Sequence, residues 1–436
     1  MNRRQILASA GGALFFSIPG CLRSGQLRED NDLPDEFTNE EYLHGFTPGA
    51  LWSVSGNDVE RSAHNKQTTL PSGDVDAAWL RWFENGPTRP ITDDQYLYVG
   101  DSDAKNSAIT ALEAKTGTRE WTETVAPLDL SEDDEGDLRS QVAGLAYRGE
   151  GLYVTINYRN DRGYEGQLIA LTTDGDVRWR EQLPAGVVTA RSRGVLVTDD
   201  HLVVPLSDPN SSEGGVVVYD HDGEQQWRYA LQDDEDVSDA PCIATGAVFL
   251  PSDSGRITAI EIDDGSTRWE AQVVKDDPKE TGIRIQDPLS ADEDRVYVPG
   301  VDDTLYVVST TDGSVQWKRP GTETNVEIAV MDDTIYLQDA NGGITAVNAD
   351  DGTDRWKSEH VVRFGIVATN NRIIGTDSKR TIALNSSGEL QWEFRIQKGE
   401  APGDAGYVMN PYPIVAHDMV YVRLADGRIY AIGARG

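Results

Sequence analysis

Ala346-Val347-Asn348-Ala349-Asp350-Asp351-Gly352-Thr353-Asp354-Arg355-Trp356 is the stretch on which the reading of this chain turns. An apolar pair is followed by an acidic turn that ends in Gly, and a Trp stands four residues after that Gly. The pair closes one strand, the Gly supplies a turn residue with positive φ, and the Trp opens the returning strand. The unit recurs as Ala111-Leu112 with Gly117 and Trp121, Ala170-Leu171 with Gly175 and Trp179, and Val218-Tyr219 with Gly223 and Trp227. It returns as Ala259-Ile260 with Gly265 and Trp269, Val307-Val308 with Gly313 and Trp317, and Ala383-Leu384 with Gly388 and Trp392. The loop before the Gly varies by one residue, while the Gly-to-Trp spacing is constant in all seven copies.

Upstream of each unit lies another strand pattern, such as Arg295-Val296-Tyr297-Val298 or Thr334-Ile335-Tyr336-Leu337. A polar turn such as Asp332-Asp333 separates it from a further apolar strand. Four short strands in a period of about forty residues, with no long helical period, predict the blades of a β-propeller. An eighth copy is split. Met419-Val420-Tyr421-Val422 and Arg428 to Ile432 form two strands, and no Trp follows them. The missing strand is expected from Ala77-Ala78-Trp79-Leu80-Arg81-Trp82, with Trp82 preferred for the Trp position and Trp79 as the alternative. Pairing the two chain ends in one blade closes the ring and removes its open edge. The fold expected is all-β, an eight-bladed propeller. Trp52 to Asp58 with Arg61-Ser62 reads as its opening segment, and the acidic insertion 129–137 and loop 157–166 lengthen the second blade.

The repeat resembles the tryptophan-docking motif of pyrroloquinoline-quinone (PQQ) proteins, Ala-x-Asp-x-x-x-Gly-x-x-x-Trp, over roughly residues 50 to 436. Ala111 to Trp121 and Ala346 to Trp356 fit its spacing; Val307 to Trp317 departs at the Ala. The resemblance implies that each Trp packs between neighbouring blades, making Trp82, Trp121, Trp179, Trp227, Trp269, Trp317, Trp356 and Trp392 structural rivets. A sugar-binding role for these Trp residues fits poorly with their fixed place in every blade.

The charge narrows the setting. Seventy-four acidic residues face 39 basic ones, giving a formal net charge of −35. The aromatic and β-branched content excludes a disordered chain, so the carboxylates cover a folded surface. Such a surface self-repels until salt screens it, which reads as adaptation to a halophilic, haloarchaeal-type setting and disfavours nucleic acid as a partner.

At the N-terminus, Arg3-Arg4 precede a short apolar stretch from Ile6 to Ile18, then Pro19-Gly20-Cys21. This resembles a twin-arginine export signal ending in a lipobox, with Cys21 as the lipidated residue. The domains expected are a signal peptide at 1–20, a lipidated, disordered acidic tether at 21–46, and the propeller at 47–436. The place expected is the outer face of the cytoplasmic membrane.

Chemistry is sparse. Cys242 lies in an apolar run and reads as a small buried hydrophobe. The six His residues, at 44, 64, 201, 221, 360 and 417, lack metal-ligand spacing and read as isolated polar residues. The acidic run 131–135 lacks the spacing of a calcium loop and reads as solvated. Quinone-dependent dehydrogenases of this fold hold PQQ and calcium in the central channel, many beside adjacent cysteines, which this chain lacks. No catalytic, cofactor or metal residue is assigned. The reading is a non-catalytic, membrane-anchored scaffold, monomeric, that binds protein partners outside the cell and resembles the bacterial outer-membrane assembly lipoproteins. A PQQ-dependent oxidoreductase and a sugar or small-ligand module stay open as alternatives.

The charge generates a first prediction. Thermal melts should move to lower temperature as salt falls from molar to tens of millimolar, because self-repulsion is then unscreened. Melts that stay put across that range would contradict the halophilic reading.

Overall fold

A computed structural model describes residues 36–435 apart from 44–45, 48–50, 55, 104–105, 126–138, 150, 161–162, 184–193, 208–213, 233–234, 276–281, 283, 286, 324–326 and 397–410. Arg3, Arg4, Cys21 and the acidic run 131–135 lie outside the described residues. The rest form eight antiparallel sheets, each with four strands in simple up-and-down order, two of them with one added strand.

Blade 1 comprises Ile91–Thr92, Tyr96–Ser102, Ser107–Glu113 and Arg119–Val125, written from the channel outward. Blades 2 to 7 repeat the pattern, their outermost strands being Val177–Gln182, Gln225–Ala230, Thr267–Gln272, Val315–Pro320, Asp354–Val361 and Leu390–Arg395. Blade 8 joins the chain ends: Tyr412–Ala416, Met419–Arg423 and Arg428–Ala434 take Val75–Trp82 as their outer strand. The ring is therefore closed by strand pairing, as the split repeat implies. Core residues sit between blades rather than within them. Val154 packs with Tyr98 and Ala111 of blade 1, while its neighbour Tyr153 packs with Val204 and Val217 of blade 3. Alternation along a strand thus serves two interfaces at once.

The repeat motif explains the joints. In every blade the motif's small residue lies opposite its Trp, as in Ala111 and Trp121 or Ala346 and Trp356, and the register slips directly after it. Each indole then reaches the next blade. Trp121 Nε1 donates to the Thr173 carbonyl at 2.9 Å, Trp179 to His221 at 3.0 Å, Trp227 to Ile262 at 2.8 Å and Trp269 to Thr310 at 2.9 Å. Trp317 donates to Ala349 at 3.0 Å, Trp356 to Ser386 at 2.7 Å and Trp392 to Pro71 at 3.1 Å. Acceptors lie two or three residues before the motif Gly, according to turn length. In each turn that carries a motif Gly the carbonyl just before the acceptor is taken by the Gly N–H, as with Glu113 and Gly117 or Thr172 and Gly175; the Pro71 turn carries no motif Gly. The Gly is needed twice over: φ is positive, and a Cβ there would stand 2.6–3.1 Å from the preceding blade's indole.

Three expectations are corrected. First, the eighth docking residue is Trp79, not Trp82. Trp79 lies opposite Ala431, is fully buried, and donates to the Ala114 carbonyl at 3.0 Å, with Gly117 against its ring. Trp82, three residues on, points to the other side of the strand and is half-buried. The eighth copy has no motif Gly before its Trp, so spacing could not choose between them. Second, most of loop 157–166 is strand: Gly151–Asn160 and Gly163–Thr172 form one long hairpin in blade 2. Third, the stretch assigned to tether up to residue 46 is partly built into the fold. Phe37–Thr38 pairs with Leu80 and Trp79, Tyr42 is buried, and Phe46 stacks on His417. Arg81 secures this strand by donating to the carbonyls of Phe37 and Gly117.

Burying an indole contributes on the order of 5 kcal/mol gross by area, and deleting one leaves a cavity as well. Trp79→Ala should therefore lower the urea midpoint far more than Trp82→Ala, by about 3–5 kcal/mol against about 1 kcal/mol of stability. Equal losses in the two variants would show that Trp79 is not the rivet.

Candidate functional site in the central channel

The innermost strands are only two to four residues long in most blades, and their channel-facing edges have no blade strand to pair with. The opening segment fills that role. The Trp52 carbonyl accepts from Thr92 N of blade 1, and the Ser53 carbonyl from Tyr147 N of blade 2. Val59, Glu60, Ser62 and Ala63 accept from Ile243 of blade 4, Ala291 of blade 5, Val330 of blade 6 and Ala368 of blade 7. His64–Asn65 then runs parallel to Ala368–Thr369, and Asn65 Nδ2 donates to the Val415 carbonyl of blade 8 at 2.7 Å. Residues 52–54 and 56–65 thus lace round the channel in blade order, near the ends of the inner strands.

Turning so tightly needs unusual backbone. Gly56, Asn57, Arg61 and Ala63 all have positive φ, three of them with side chains that make such a conformation costly. Local bonds hold the turns: Asp58 accepts from Ser62 N at 2.7 Å and Ser62 Oγ at 2.5 Å, and Asn57 Nδ2 donates to the His64 carbonyl at 2.5 Å. Arg61 leaves the lace to donate from Nε to the Pro241 carbonyl at 2.7 Å, at the start of blade 4.

The other end, where inner strands begin, carries a cross-brace. Arg89, entering blade 1, pairs with Glu327, entering blade 6, at 2.6 Å, and both side chains are under one-fifth exposed. The Arg89 guanidinium lies 3.6 Å from the centre of the Tyr412 ring of blade 8. Arg423, opposite Tyr412 in the same sheet, donates from Nε to the Pro87 carbonyl at 2.6 Å. None of these residues stood out in the sequence, because single polar residues just before short strands follow no period. Arg61 alone lay in a segment already singled out.

The fold's quinoprotein relatives raise the question of PQQ and calcium. The described channel does not fit them. Its lower part is taken by residues 52–65, its upper part by the Arg89–Glu327 pair, and among the described residues no three His, Cys, Asp or Glu groups could share a metal. Cys242 is wholly buried, and burial pushes its thiol well above the usual range. Two histidines read as isolated are in fact joints. His221 meets the Tyr153 hydroxyl through Nδ1 at 2.5 Å, and His417 contacts the Asp93 carbonyl through Nε2 at 2.7 Å.

Burial holds the His64 imidazole down at about 4, and its ring nitrogens have no partner among the described residues. Burial pushes the Asp58 carboxyl up to about 6. The signs oppose. His64, with its pKa depressed in the fold, costs stability as pH falls from its unfolded value near 6.5 toward 4. Asp58, with its pKa raised, adds stability as pH falls through about 6 toward its unfolded value near 3.8. Relative to wild type, His64→Gln should therefore gain on the order of 3 kcal/mol between neutral pH and pH ~4, and Asp58→Asn should lose a similar amount. Denaturant midpoints measured across that range check both, and parallel curves for all three proteins would refute the assignment.

The comparisons with known proteins follow the fold. A family profile described as outer membrane protein assembly factor BamB matches residues 105–358 and 340–435. The protein of that name from Salmonella typhimurium is 25% identical over 409 residues, covering 89% of each chain. That of Yersinia pestis is 24% identical over 364 residues, covering 79% of this chain and 83% of its own. Among solved structures, BamB from Moraxella catarrhalis superposes with a TM-score of 0.57 at 17% identity, covering 83% of this chain and all of that one. A europium-containing methanol dehydrogenase superposes with a TM-score of 0.65 at 13% identity, covering 91% of this chain and all of the other, which is likeness of fold alone. With the family match reaching from residue 105 to residue 435, the chain belongs to the PQQ-like repeat propellers of the outer membrane protein assembly factor BamB family.

Proposed function

We propose that this chain is an extracytoplasmic, membrane-anchored scaffold that holds protein partners on the loops of its ring and performs no chemistry of its own. The observation that carries this reading is the channel. In an enzyme of this architecture the channel houses the cofactor; here residues 52–65 and the Arg89–Glu327 pair occupy it. A disc braced in this way is rigid, and rigid elements carrying variable loops suit partner binding. The relatives are named as outer membrane protein assembly factors, which agrees with a partner-holding role. The anchor at Cys21 and the export signal at Arg3-Arg4 complete the reading.

The test uses the full chain in native membranes at molar salt. Crosslinking should capture discrete protein partners, and Cys21→Ser should move the chain from the membrane to the medium. Purified protein given PQQ, calcium, alcohols or aldoses and a dye acceptor should reduce no dye. Stoichiometric quinone binding with substrate-dependent dye reduction would overturn the scaffold reading.

A further inference from the structure

In a chain with 35 more acidic than basic residues, several enclosed guanidiniums have a carboxylate beside them. Arg428 holds Asp426 at 2.5 Å, Arg380 holds Glu393 at 2.7 Å, and Arg89 holds Glu327 with one nitrogen between both oxygens. Arg423 is one of those without such a partner among the described residues. Its Nε is used by the Pro87 carbonyl, and its two terminal nitrogens make no hydrogen bond or ion pair among the described residues. The carboxylate acting on it, Asp426, is already held by Arg428. Arg89 acts on it as a second positive charge. Asp239 and Asp287 act on Arg89 as well, and Asp239 also acts on Arg61 of the lace.

Two guanidiniums therefore flank the Tyr412 ring at the channel mouth, one of them paired with Glu327, and all four side chains keep some exposure. A planar fork beside an aromatic face is the arrangement that recognises carboxylates bidentately. Glu327 shows that the Arg89 side of this arrangement accepts one. We propose that the channel mouth is a carboxylate-recognition site, in which Arg423 and Arg89 bind an incoming acidic group over Tyr412 and Glu327 acts as the internal competitor. The acidic surface repels such a ligand at long range, and salt removes that barrier while leaving the partly enclosed contact. The ligand is a carboxylate, either of a small molecule or of an acidic peptide segment. This goes beyond the scaffold reading: partners could be captured through the loops with this site silent, and the site could bind in a chain that captures nothing.

The experiment is calorimetric titration of the full chain, in molar salt, with citrate, hexaglutamate and hexaglutamine as a control. Arg423→Gln should weaken binding by about tenfold or more, and Arg423→Lys, which keeps the charge without the fork, should fall between. Glu327→Gln should strengthen binding by about tenfold, since it removes the competitor. Binding of both acidic probes supports the site with a small carboxylate as sufficient ligand, and binding of hexaglutamate alone supports it with a peptide source. No Arg423-dependent heat from either probe, in variants whose melts match the wild type, overturns the proposal; Arg423→Lys serves the same comparison if Arg423→Gln does not fold.

Discussion

The indole that crosses from one blade to the next is the contact on which everything else rests. Each blade alone is a small twisted sheet, buried on both faces by its neighbours and unable to cover either face by itself. The Trp at the start of an outer strand solves this locally. Its ring lies on the next blade's glycine, and its N–H satisfies a turn carbonyl that the tight loop leaves over. The same few atoms thus set the distance, the tilt and the order of neighbouring blades. Two outer strands add a second fastener, because Arg81 and Arg319, each two residues after the Trp, donate to the carbonyl of the same glycine at 2.6 and 2.9 Å.

Joining eight such contacts in a ring creates a problem at the centre. The inner strands turn unpaired backbone groups toward the axis, where buried donors and acceptors must find partners. Among the described residues the lace supplies them in blade order for blades 1, 2 and 4 to 8, and its strained turns are the cost of so small a circle. The lace braces the hub from within, so the axis is lined by chain as well as by the inner strands.

Scarce positive charge is spent where it spans elements. Arg295 reaches Asp350 and Arg319 reaches Asp354 at 2.7 Å across blades 5 and 6, while Arg148 reaches Asp199 across blades 2 and 3. Exposed pairs of this kind contribute little each. They do place compensating charge at the joints of an acidic disc, where unrelieved repulsion would otherwise concentrate.

The blade count, the strand order and seven of the eight docking residues were legible in the sequence, because a fixed Gly-to-Trp spacing is a local code with one physical meaning. The eighth was not, since Trp79 and Trp82 differ only in which side of a strand they face, and that depends on a register set by Ala431 from the far end of the chain. Likewise Trp52 to Ser62 could be seen as an opening segment, but its course round the axis depends on blades up to 350 residues away. The mouth was hidden for the same reason. Arg89, Glu327, Tyr412 and Arg423 are single polar residues before or after short strands, and nothing local relates them. Repetition along the chain determined the ring, whereas only closure of that ring brought together the residues that face its axis.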